Sequence, residues 1–332
     1  MGGFLALCAA MTFAFNNTLA RRGVLTGSVM QAMAISVPLG VPLFLIAAFV
    51  TDALPMLADA SVTSLFFMAA AGVVHFVCGR YCNYRAVKAI GANLAGPLTE
   101  ASVLVALGLA VALLGEKLTP MKLLGIFLIL SGPALTVGAR RKPPVLAPLD
   151  GEDGAGVEIV FTPHYVEGYF FSILAAIAYG ISPILVRFAL ERTGWQASIA
   201  AGLVSYIAAT LVTFIVIVAS GQLRHTCSIS RTTLKWFCGA GFFVGLSQML
   251  RYMALSLAPV SVVSPIQRLS LIFRLVFSLL MNRKYEIFNS RMVLGTIVSL
   301  LGAILLSISI EAVHEVLPIP AALVPAFTWQ WP

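Results

Sequence analysis

Charge is what this sequence has least of. Asp, Glu, Lys and Arg make up 10% of its 332 residues, 60% are hydrophobic, and the mean hydropathy is +0.98. A soluble domain carries about 25% charged and 45–50% apolar residues. A water-facing surface cannot be covered from this composition, so lipid is the solvent for most of the chain. Cysteine is also scarce. Cys8, Cys78, Cys82, Cys227 and Cys238 form no CxxC pair, which removes a zinc site or a disulfide framework from consideration. Cys78 and Cys82, four residues apart, are expected to pack as buried thiols. No P-loop, HExxH or GxSxG occurs, and "GAGVEIV" (154–160) is no dinucleotide fingerprint. ATP-driven pumping by this chain alone, soluble catalysis and a bound cofactor are therefore not expected; the chain reads as no enzyme.

The charges that remain are lopsided, at +8 net. They fall between apolar runs rather than along a basic stripe interleaved with aromatics, so no nucleic-acid partner is expected. No basic residue precedes the first apolar run, and Arg21 and Arg22 follow it, the pattern of a retained span and not of a cleaved signal peptide.

What the chain does have is long apolar runs. A spanning helix needs about 20 mostly apolar residues. Ten runs qualify: 2–19, 28–50, 62–84, 90–114, 119–138, 167–187, 196–219, 233–255, 259–281 and 292–311. Residues 139–166, rich in Pro, Gly and acid, read as a polar linker between a first half (1–138) and a second (167–311). The tail 312–332 is apolar but carries prolines at 318, 320, 325 and 332, which rule out an eleventh helix.

The halves resemble each other. Shifted by 166, Phe4 meets Phe170, Ala9 and Ala10 meet Ala175 and Ala176, and Arg21 meets Arg187. Shifted by 168, Tyr84 meets Tyr252, Ala86 meets Ala254, Pro97 meets Pro265 and Glu100 meets Arg268. Gly125 and Gly132 fall against Gly295 and Gly302 with two residues inserted. Identities in order at a near-constant offset indicate a repeat of five helices. An odd repeat must enter the membrane from the opposite side the second time, giving an inverted pair of the kind typical of secondary transporters. The expected fold class is an all-α integral membrane protein of ten transmembrane helices in two inverted five-helix repeats. Loops 1–2, 3–4, 5–6, 7–8 and 9–10 collect Arg21, Arg22, Arg140, Arg141, Lys142, Arg283 and Lys284 among others, against few on the other side. The positive-inside rule then puts both termini outside.

The block "YRAVKAIGANLAGPLTEASVLVALGLAVALLGEKLTPMKLLGIFLILSGPAL" (84–135) resembles the EamA-type repeat of the drug/metabolite transporter superfamily. The shared features are a Tyr before an Ala-rich stretch, a mid-helix Pro, "LGEKLT" and a Gly-containing last helix. In two copies the resemblance covers nearly the whole chain. The second copy departs from it with Asn282-Arg283-Lys284 in place of Gly115-Glu116-Lys117, and the first helix has Phe13-Ala14-Phe15 where many relatives carry a Trp. The resemblance implies a multi-pass carrier of a bacterial inner membrane. It would move a small polar or amphipathic metabolite by alternating access, with amino-acid or organic-anion export favoured, coupled to protons or to exchange. A monomer would suffice, and a dimer stays open. Two other readings stay open too: a non-transporting subunit or lipid-translocating protein, and an integral-membrane enzyme, for which no catalytic cluster is found.

Site candidates come from polar groups inside the runs. Pro97 and Pro265 interrupt matching spans, and paired interruptions point to a binding site, although a simple kink is the competing explanation. Glu100 lies near mid-membrane, where a charge costs roughly 2.5–3.5 kcal/mol and needs a partner. The repeat nominates Arg268. Their contact could be a gate, a proton site or a structural pair fixing the bundle. Asn16, Asn17 and the matching Ser182, with Gln31 and Gln248, either line a cavity or hydrogen-bond between helices. His75 either titrates or packs. Arg80, Asn83 and Arg251 are expected near span ends, snorkelling to the interface.

Overall fold

The computed structural model describes residues 2–114, 120–137, 145–149, 157–189, 195–257, 263, 266–286 and 288–307. The described helices fall largely within the expected apolar stretches. Five stretches are long and apolar enough to cross a membrane: Gly2–Thr26, Val29–Val50, Val62–Ile90, Tyr165–Val186 and Gln196–Ala219. Leu123–Gly132 and Ser290–Leu305 are shorter apolar helical segments.

The first helix, α1 (Gly2–Thr26), is followed by α2 (Val29–Ser36). A capping box opens α2: Gln31 N donates to Ser28 Oγ at 3.1 Å and Ser28 N to Gln31 Oε1 at 2.9 Å. The Gln31 amide also donates to the carbonyls of His225 and Ser228, so this glutamine fastens a loop. Pro38 lies in the turn that separates α2 from α3 (Gly40–Val50), because a proline removes a backbone donor and clashes with the preceding turn. The third run is continuous from α4 (Val62–Gly72) through a seven-residue π-helical segment (Val73–Gly79) into α5 (Arg80–Ile90). Gly91 then turns the chain at φ +84°, and α6 (Ala92–Glu100) and α7 (Ser102–Leu114) follow, broken at Ala101. The rest comprises α8 (Pro120–Val137), α9 (Tyr165–Ala189), α10 (Trp195–Ala219), the short α11 (Leu223–Cys227), α12 (Arg231–Leu257), α13 (Ser270–Met281) and α14 (Ser290–Ser307).

The linker differs from expectation. Within it, β1 (Val145–Leu149) pairs antiparallel with β2 (Val157–Phe161), Val145 opposite Phe161 and Leu149 opposite Val157. "VEIVF" has the β-branched and aromatic content of a strand, which the surrounding Pro and Gly obscure. Residues 312–332 lie outside the described residues.

Polarity is distributed as lipid requires. Phe49, Val50, Val62, Phe66 and Leu280 are more than half exposed, while Ala6, Ala14, Ala20, Ala32, Ala48 and Ala86 are fully buried. Between helices in lipid, small residues allow close backbone approach, and packing replaces the hydrophobic effect as the main attraction. The α8–α14 contact shows this. A Cβ at Gly302 would stand 2.7 Å from the Gly125 carbonyl oxygen, and one at Gly132 would stand 2.5 Å from that of Gly295. Helix α1 packs along α12, and α9 packs against α4, α5 and α7. Cys78 is exposed and Cys82 half-buried, so neither is the buried packing thiol expected.

Candidate functional site

Glu100 closes α6. Pro97, three residues earlier and buried, has no amide to give the Asn93 carbonyl, and the helix ends one turn later at Ala101. Thr99 Oγ donates to the Ala95 and Gly96 carbonyls at this weakened end. The interruption delivers the Glu100 carboxylate into a cavity of about 120 Å³ inside the bundle. Its apolar wall is Ala9, Ala10, Phe13, Val103 and Ala106; its polar wall comes from the π segment, α9, α12 and residues 267–270.

Glu100 and Arg268 form an ion pair in this cavity, their side chains 11% and 21% exposed. Arg251 lines the same cavity and interacts electrostatically with both. Arg251 therefore does not snorkel: α12 continues to Leu257, which leaves the arginine inside the bundle. The π segment carries His75, and such segments recur at functional sites. His75 Nδ1 lies 2.9 Å from Ser182 Oγ, its Nε2 lies 3.5 Å from the Gln248 amide nitrogen, and its ring leans on Tyr179 at 4.7 Å between centroids. His75, Glu100, Gln248 and Arg268 line the cavity themselves, and Ser182 reaches it through His75. Sequence reasoning missed Arg251, Tyr179 and Gln267 as lining residues; for Arg251 the signal was its charge within an apolar run.

Other candidates stand elsewhere. Asn17 Nδ2 donates to the Phe13 carbonyl, and its Oδ1 accepts from Asn83 at 3.3 Å. Asn16, with its amide nitrogen turned to the Ala240 carbonyl, donates to it at 2.9 Å. Both asparagines are buried and serve contacts within and between helices; neither lines the cavity. Pro265 lies outside the described residues, so its pairing with Pro97 has no structural counterpart here. Arg80 and Asn83 do not reach an interface. Both are buried, and Arg80 donates to the Ser36 carbonyl at 3.0 Å and the Tyr206 hydroxyl at 3.2 Å with its guanidinium over Phe76.

A second ion pair went unforeseen. Glu286, in the loop after α13, accepts from the Ala92 and Asn93 amides at 2.6 and 3.1 Å, the donors that a helix start leaves free. Arg21 Nε is 3.4 Å from the same carboxylate, and both side chains are fully buried. Arg21 also donates to the carbonyls of Val87 and Tyr285 at 2.7 and 2.6 Å. Burial pushes the Glu286 carboxyl above its ordinary range, while Arg21 and the two amides pull it down. One carboxylate thus ties the end of α1, the start of α6 and the α13–α14 loop. No cluster of three or more His, Cys, Asp or Glu suited to a metal occurs among the described residues.

No curated protein matches this chain. Among solved structures 24 chains match; one, a crystal structure, has a TM-score of 0.55 at 16% identity, covering 92% of this chain and 94% of its own, a likeness of fold alone. The model of the EamA-like transporter family matches residues 1–138 and again 166–308. A helical chain with membrane-length apolar helices around a polar cavity, matched by that model over most of its length, belongs to the EamA-like transporter family, part of the drug/metabolite transporter superfamily.

Proposed function

We propose that this chain is a secondary transporter that moves a small polar or amphipathic metabolite by alternating access. The cavity holding Glu100, Arg268, His75 and Gln248 is its cargo site. The observation that carries this reading is a charged pair held inside an apolar bundle at the point where a helix breaks. A charge at that depth is expensive unless it has a use or a partner. Export of an amino acid or organic anion is the favoured direction, and a bacterial inner membrane the favoured location, with both termini outside.

The ten-span inverted repeat is part of the same proposal. Crossed contacts between the copies support it: the repeat makes Gly125 equivalent to Gly295 and Gly132 to Gly302, and Gly125 meets Gly302 while Gly132 meets Gly295. Reciprocal contact of this kind is what a two-fold axis generates. Glu100 and Arg268, equivalent to each other, meet as residues on such an axis would. One chain then completes the pathway.

Glu100 is proposed to exchange partners during the cycle, coupling cargo to protons or to a counter-substrate. The charged and titratable groups around it are Arg251, Arg268, Arg274, His75 and Tyr179. The test is thermal stability of purified protein against a metabolite panel at pH 5.5 and 7.5, for wild type and Glu100→Gln. Ligand at 100 times its Kd stabilises by about 2.7 kcal/mol. A pH-dependent stabilisation that Glu100→Gln abolishes is the expected result. Equal stabilisation of both proteins would make Glu100 structural, and a panel without a single ligand would favour a non-transporting or lipid-translocating protein.

A further inference from the structure

The cavity lining holds more cationic than anionic side chains. Its described lining residues include two arginines, Arg251 and Arg268, and one acid, Glu100. Glu100 is engaged by Arg268 through Nη1 alone, and Arg268 Nε is buried without a hydrogen-bond partner. Arg251 is further from satisfaction: its Nε is buried and unpartnered, and no hydrogen bond from its guanidinium is found among the described residues. A guanidinium carries five donors and stays charged. Two of them against one carboxylate leave an excess of one positive charge, and the buried Nε of each is an unused donor. Among the lining hydroxyls, Ser247 Oγ donates to the Ala9 carbonyl and Thr99 Oγ to its own helix, so neither carries a counter-charge for the arginines.

The apolar part of the lining, Ala9, Ala10, Phe13, Val103 and Ala106, offers only methyl groups and the Phe13 ring. Fixed positive charge, unused forked donors and an apolar wall select one chemistry. We propose that the cargo is a small monocarboxylate, or an amino acid of that size, whose carboxylate bridges Arg251 and Arg268 and whose short apolar part lies against Ala9, Ala10 and Phe13. This rests on the transporter reading and names its substrate class. A second negative charge on the cargo would exceed the one the cavity lacks, and a neutral amide would leave both guanidinium groups unmatched. Arg251 is the anchor, and Arg268 is shared between cargo and Glu100.

The experiment uses the full chain in detergent and reads apparent Kd from ligand-dependent melting. The probes are butanoate and alanine, their amides butanamide and alaninamide, succinate and inorganic phosphate, on wild type, Arg251→Gln and Arg251→Lys. Butanoate or alanine is expected to bind and its amide to bind at least 10-fold more weakly. Arg251→Gln should weaken carboxylate binding about 10-fold or more, with Arg251→Lys between. Arg251→Gln without ligand should melt no lower than wild type, because Arg251 gives up no hydrogen bond; a structural arginine would show the reverse. Equal binding of acid and amide, tighter binding of succinate or phosphate, unchanged affinity in Arg251→Gln, or no binding by any carboxylate would each overturn the proposal. The transporter reading fails separately, if a bound solute is never carried across a vesicle membrane.

Discussion

Replacing Glu286 by alanine should unlock one end of the bundle. The carboxylate takes two backbone amides at the start of α6 and faces Arg21, with both side chains at 0% exposure. Removing one member of a buried ion pair costs about 3–5 kcal/mol, because the other charge is left without a counter-ion. The hydrogen bonds lead to the same figure: two bonds to a charged acceptor are worth about 1.5–3 kcal/mol each. In a chain of this size 1 kcal/mol moves the melting temperature by roughly 2 °C, so Glu286→Ala should melt about 6–10 °C below wild type in detergent. Arg21→Ala should fall comparably, since it strands Glu286. The double variant should lose clearly less than the sum, as residues in one network do not add. A single-variant loss under about 1 kcal/mol, or strict additivity, would refute the reasoning and reduce the pair to a spectator.

Two further substitutions test the packing. Gly91 has φ +84° and ψ 161°, a region that only glycine occupies freely at a cost to others of about 1–3 kcal/mol, and a Cβ there would stand 2.5 Å from Glu286 Oε2. Gly91→Ala should therefore lower the melting point and lose most of its effect in a Glu286→Ala background. Gly302→Val would drive a side chain into the Gly125 carbonyl and the Ile129 amide, each 2.7 Å from the added carbon, and should destabilise by about 1–3 kcal/mol. A melting point equal to wild type would mean that α8 and α14 do not depend on close approach.

Helix positions were legible because lipid imposes a simple rule: long apolar runs become helices. The Glu100–Arg268 contact was legible from the 168-residue offset, which puts both residues at one point of two matching spans. Interruptions were less so. Pro38 marks its own turn, but the break at Ala101 depends on how α6 meets its neighbours, and the π segment around His75 has no compositional mark. Arg80 and Arg251 were misplaced because a charge was read as the end of a span. Buried acceptors and aromatic faces can hold an arginine well inside one, as Ser36, Tyr206 and Phe76 hold Arg80. Glu286 escaped notice because a loop acid shows its partner only after the chain has brought α1 and α6 beside it.

The central claim is that the chain carries a solute through the cavity. Counterflow tests it most directly: vesicles containing the purified protein and loaded with an unlabelled solute that binds it are diluted into a trace of the labelled solute. The account expects label to accumulate transiently above the outside concentration in wild-type vesicles and not in vesicles carrying Arg268→Gln. Accumulation no greater than in protein-free vesicles, for every solute that binds, would contradict it.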